Sequence, residues 1–140
     1  MSRPLGNSIL VVAGMAMAAT IGAAIWVMGG PGAQRERRLD ERRIGDLRDL
    51  QSSIEQYHRD HDRLPPDLAT LAGQPGVALP LSDPTTGQAY VYVVEAADRY
   101  RLCATFATDT ARDGQRGYGF DTDWAHGTGN TCFQRRIKAE

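Results

Sequence analysis

Residues 88–106 read QAYVYVVEAADRYRLCATF. Alternation over 88–94 places Tyr90, Tyr92 and Val94 on one face of an extended segment. Residues 95–99 form a short connection, and 100–106 alternate again with Leu102, Ala104 and Phe106 on one face. Two such runs joined by a few residues predict an antiparallel hairpin. Upstream, DPTTG at 83–87 is a turn cluster. Downstream, 107–130 is rich in Gly, Asp and Thr and reads as a long loop, after which 131–137 adds a short third strand.

The helical part precedes this hairpin. Ile44, Leu47, Leu50, Ile54 and Tyr57 are spaced 3, 3, 4 and 3, one apolar stripe on a long amphipathic helix over 35–62. Its charges read as a solvated face, with Arg37/Glu41, Arg42/Asp46 and Glu55/Arg59 at i,i+4. Arg35, Arg37, Arg38, Arg42 and Arg43 offer a weak lipid-headgroup patch that Glu36, Asp40 and Glu41 dilute. LPP at 64–66 stops the helix, and 67–72 forms a turn or two of helix closed by Gly73.

At the other end, residues 8–28 read SILVVAGMAMAATIGAAIWVM, 21 residues without a charge. As a helix they reach about 31 Å, the thickness of bilayer hydrocarbon. Trp26 suits the interface. A signal peptide cleaved after Ala18 is the competing reading, but the apolar run continues about ten residues beyond the small-residue site, which favours a retained anchor. Gly14, Ala18 and Gly22 recur every four residues and form a face on which another helix can dock. The absence of ionisable residues in the span argues against a proton or ion path through it.

The expected organisation is therefore an N-terminal tail over 1–7, a transmembrane helix over 8–28, a Gly/Pro linker over 29–34, an α+β domain over 35–137 and a C-terminal tail over 138–140. Of the 140 residues, 16 are basic and 17 acidic, a near-neutral balance that gives no attraction to nucleic acid. The length allows one small domain outside the membrane.

Two cysteines remain, Cys103 on the second strand and Cys132 after the long loop. A bond between them closes that loop and stabilises by roughly 3–4 kcal/mol. The alternative is two buried free thiols. The pair points to an oxidising compartment, whereas the arginines after the span place the domain on the cytoplasmic side by the positive-inside rule. The disulfide reading prevails narrowly.

The order of motifs carries a resemblance. IEQYHRDHDRLPPDLATLAG ends the amphipathic helix, DPTTGQAYVYVV follows, and then YRLCATF. Tyr57, Leu64, Pro65, Asp83, Pro84, Gly87, Tyr90 and Tyr92 fall where G-type pseudopilins of type II secretion carry their turn and hairpin motifs, so residues 43–106 resemble that family's soluble domain. The prepilin processing motif is not matched: Gly6 is followed by Asn7, and Val11 stands where the family has Glu. The resemblance implies a bacterial inner-membrane protein, and it implies calcium in a C-terminal loop. Asp109, Asp113, Asp121 and Asp123 supply carboxylates there, though without EF-hand spacing.

Other chemistry is weakly encoded. His58, His61 and His126 with the cysteines lack a close zinc-ligand pair, no CxxCH run exists for haem, and no nucleophile, base and orienting group fall together. The expectation is a non-enzymatic, single-pass accessory or scaffold subunit of a larger membrane assembly. Its domain is periplasmic, and its partners are other membrane subunits and the bilayer. The alternatives are a minor pseudopilin and a periplasmic metal- or ligand-binding module.

Overall fold

The computed structural model describes residues 4–28, 30–113 and 122–137. The chain divides into two compact units, Met1–Arg35 and Glu36–Glu140.

In the first unit, α1 spans Pro4–Met28, 25 residues. It begins four residues before the expected span, because Pro4 fits the first helical position, where its missing N–H is no loss. Its large apolar side chains are exposed, Leu10 to 72 % and Trp26 to 86 %. By length and composition it can cross a membrane.

Helix α2 spans Pro31–His61. Residues 31–34, expected as linker, are helical. The same proline preference applies at Pro31, and the Gly30 carbonyl accepts from Gln34 N at 3.3 Å. At the other end Asp62 adopts φ 51°, a left-handed stop, and its N–H donates to the His58 carbonyl. His61 stacks on Tyr57 with centroids 4.1 Å apart, and its Nδ1 lies 3.0 Å from the Tyr57 carbonyl. The histidines at this end thus finish a helix.

The second unit is α+β. Leu47, Leu50, Ile54 and Tyr57 of α2 are buried, and Ile44 packs partly against them. Leu64 and the short helix α3, Leu68–Ala72, add Leu68 and Leu71. Asp67 caps α3 by accepting from Thr70 N at 2.6 Å. The sheet has three antiparallel strands in the order β1-β2-β3: β1 Val91–Ala96, β2 Arg99–Phe106 and β3 Gly129–Arg136. Tyr100, Leu102, Ala104 and Phe106 of β2 and Phe133 of β3 face the core.

The expected strands shift by a few residues. Pairing of β1 starts at Val91 rather than 88, because Ala89 bridges back to Ser82 and Tyr90 N donates to the Leu81 carbonyl. Val94, expected on the inner face, is 42 % exposed on an edge strand with a bulge at Val94/Ala96. The segment after β2 is not wholly loop. It contains α4, Thr110–Asp113, and a 3-10 turn, Thr122–Trp124, and β3 begins two residues early at Gly129, whose φ of 91° suits glycine.

Tyr100 is 1 % exposed, and among the described residues its hydroxyl has no hydrogen-bond partner. A buried hydroxyl that makes no bond carries only its desolvation cost. Tyr100→Phe is therefore expected to hold or raise stability by up to about 1 kcal/mol. A loss of more than that in urea unfolding would show that the hydroxyl is satisfied.

Candidate functional site

Three features of the second unit hold its chemistry-bearing side chains. The first is a buried charge cluster. Asp40 and Arg43 occupy the first part of α2, yet they are 2 % and 6 % exposed. Arg43 donates through Nη1 to Asp40 and through Nε to Asp83 of the 83–87 turn, each at 2.5 Å. The other donors to Asp40 come from the segment after β2: Ala107 N, Thr108 N and the Thr108 hydroxyl. Asp83 also receives Thr85 N and Thr86 N. Tyr90 completes the group by donating to Asp46 at 2.6 Å. Burial and this carboxylate both raise the Tyr90 phenol's pKa, and burial alone pushes that of Tyr92 up to about 12.

This arrangement corrects the sequence reading. The charges of α2 are not all solvated. Asp46 is taken by Tyr90 rather than Arg42, and Glu55 accepts from Gln51 rather than pairing with Arg59. Both carboxylates and the guanidinium bond to groups of the protein itself, so the cluster works as a clasp joining α2 to two connecting segments.

The clasp sets an acid response. Burial raises the pKa of Asp40, but hydrogen bonds from Thr108, Ala107 and Arg43 outweigh it and hold the group below its ordinary value. For Asp83, burial is likewise outweighed by Thr85, Arg43 and Thr86. Carboxylates held low in the folded state contribute stability above the unfolded value, near 3.9, and lose it as pH falls through the folded values. Urea midpoints are expected to be level from pH 7 to about 5 and to fall below pH 4, with a shallower fall in Asp40→Asn.

The second feature is the disulfide. Cys103 and Cys132 are bonded and lie directly opposite in the β2–β3 register, with Cα atoms 4.0 Å apart. Cys103 is buried and Cys132 exposed. The bond lies on the face of the sheet away from the core. Val91 stands across from Cys103 there, and Val93 lies two residues along the same strand, 46 % and 36 % exposed. With both sulfurs bonded to each other, neither is a thiolate ligand for zinc.

The third feature is aromatic. Arg135 lies over the Trp124 ring at 4.1 Å, and Trp124 packs on Phe133, closing the small core over the hairpin. His126, 3 % exposed, stacks on Phe106 at 3.9 Å, while its backbone bonds to Thr110.

The acidic residues do not converge among the described residues, where no three metal-ligating side chains gather. Asp109 accepts from Arg112 N and pairs with its guanidinium. Asp123 flanks Trp124 in the 3-10 turn. Asp121 and the side chain of Asp113 lie outside the described residues, as do the tails 1–3 and 138–140. In the first unit, a Cβ added at Gly14 or Gly22 would meet nothing within 4 Å, and Ala18 is exposed.

Comparison with protein-family models, with curated proteins and with solved structures returns no match.

Proposed function

We propose that the chain is a single-span membrane protein whose domain serves as a non-catalytic accessory or scaffold subunit of a larger assembly, on the periplasmic side of a bacterial inner membrane. The observation that carries this reading is the joint presence of an uncharged 25-residue helix with exposed apolar side chains and a separate unit stapled by a disulfide. Neither suits the same solvent: the helix needs a lipid or protein cover, and the bond persists in an oxidising one. The open face at Gly14, Ala18 and Gly22 is where a partner helix can approach closely. The order of elements, a long helix, a short helix and a hairpin, supports the resemblance to the pseudopilin soluble module.

Native membranes, washed with alkaline carbonate and then gently solubilised, test this. The protein is expected to resist the wash, to yield a crosslinked Cys103–Cys132 peptide when thiols are blocked before lysis, and to elute in a complex larger than a monomer. Release by carbonate removes the anchor. Free thiols remove the periplasmic placement, and a purely monomeric species removes the scaffold role.

A further inference from the structure

The start of α2 carries arginines for which the fold has no use. Arg35, Arg38 and Arg42 are exposed and spaced three and four apart, so within this one helix they share a stripe. Among the described residues no carboxylate pairs with any of the three. Asp46, the natural partner of Arg42, is occupied by Tyr90. Asp40, which in sequence dilutes this basic run, is buried and cancels the equally buried Arg43. Of the acids in the run, Glu36 and Glu41 are exposed; Glu36 falls off the stripe by helical spacing, and Glu41, three residues after Arg38, lies at its edge without forming a salt bridge to it among the described residues.

All three arginines lie beyond the first turn of α2, and like charges three and four residues apart on one helix repel. A negatively charged surface outside the protein relieves that repulsion. Only residues 29 and 30 separate α1 from Pro31, and Arg42 lies about 16 Å along α2 from that proline. Chain connectivity thus tethers the stripe to the end of α1 through a short stretch of sequence.

We infer that Arg35, Arg38 and Arg42 bind the anionic phospholipid headgroups of the bilayer that holds α1. The inference rests on the anchor reading above and deepens it. It also gives these arginines a task on whichever side the domain lies, since acidic lipids attract cations at either surface. Each arginine at such a surface contributes an attraction that salt screens.

The test uses the full chain in nanodiscs of phosphatidylcholine alone and of phosphatidylcholine with 40 % phosphatidylglycerol, read by amide hydrogen exchange. Phosphatidylglycerol is expected to slow exchange over residues 31–45 by about fivefold or more, and 0.5 M NaCl to reverse this. The variant Arg35→Gln/Arg38→Gln/Arg42→Gln is expected to lose the effect, while Arg99→Gln/Arg136→Gln keeps it. Equal exchange in the two lipids, or an effect that survives the triple substitution, overturns the headgroup inference while slow exchange over 8–28 leaves the anchor standing. Fast exchange over 8–28 in both discs overturns the anchor and the inference with it. Protection of 31–45 by inorganic phosphate in neutral discs would assign the stripe to a free anion and overturn the bilayer as its partner.

Discussion

Arg43→Met is expected to destabilise the domain by about 3–5 kcal/mol, the cost of stripping the cation from a buried ionic cluster. The guanidinium contacts two carboxylates that are themselves almost fully buried, 2 % exposed at Asp40 and 6 % at Asp83. Methionine fills similar space and forms helix well, so the loss reports charge rather than volume or propensity. The diagnostic is the pH dependence. With Arg43 present, stability falls as acid protonates carboxylates that are held low. Without it, both aspartates lose a contact that lowers them while the hydrogen bonds from Thr108, Ala107, Thr85 and Thr86 remain, so each moves toward its unfolded value. A smaller depression leaves less stability to lose as pH falls through the folded values. Urea midpoints of the full chain in detergent should then fall less below pH 4 in the variant than in the parent. A variant with the parent's acid profile and a loss below 1 kcal/mol would mean that the cluster is hydrated. Replacing Asp40, Arg43 and Asp83 together by apolar residues should cost less than Arg43→Met alone, because no charge is left stranded.

The same cluster shows where the sequence was readable and where it was not. Leu47, Leu50, Ile54 and Tyr57 announce a buried helix face because their periodicity is local. Continued backwards, that stripe meets Arg43 and Asp40 at steps of four and three, so the two charges stand on the core face. That register was the available signal. The run of surrounding charges obscured it, and Ile44 offered an apolar start one position away. The partners of the stripe were out of reach, since Asp83 lies 40 residues from Arg43 and Thr108 lies 68 from Asp40. Only the tertiary fold brings them in. Leu102, Ala104 and Phe106 were readable for the same local reason, and Val94 was misplaced because an edge strand with a bulge does not bury every second residue. A Gly/Pro composition suggests a linker over 29–34, but a proline starts a helix as readily as it ends one, and α2 begins at Pro31.

Removing the disulfide through Cys103→Ala/Cys132→Ala is expected to cost roughly 3–4 kcal/mol, almost all of it through the unfolded state. The folded state hardly needs the bond to hold its sulfurs together: β2 and β3 are paired over eight positions, and Cys103 faces Cys132 within that ladder. What the bond removes is the freedom of the unfolded chain over a separation of 29 residues, a segment that includes α4 and the 3-10 turn. The variant should therefore keep the parent's circular dichroism and its Trp124 fluorescence, and unfold at a lower urea concentration. A parent reduced with dithiothreitol should match it. An unchanged midpoint would show that the unfolded chain already holds β2 beside β3, and a variant that loses native fluorescence would show that the ladder depends on the bond. The size of the effect bears on where the domain works. Small domains have total stabilities of about 5–15 kcal/mol, so a loss of roughly 3–4 kcal/mol takes about a fifth to four-fifths of it. A domain of this size with one modest core is at its most stable where thiols are oxidised, and each reduced molecule spends correspondingly more time open to proteolysis. Comparing the protein's turnover in oxidising and reducing hosts should show the alanine variant short-lived in both and the parent short-lived only in the second.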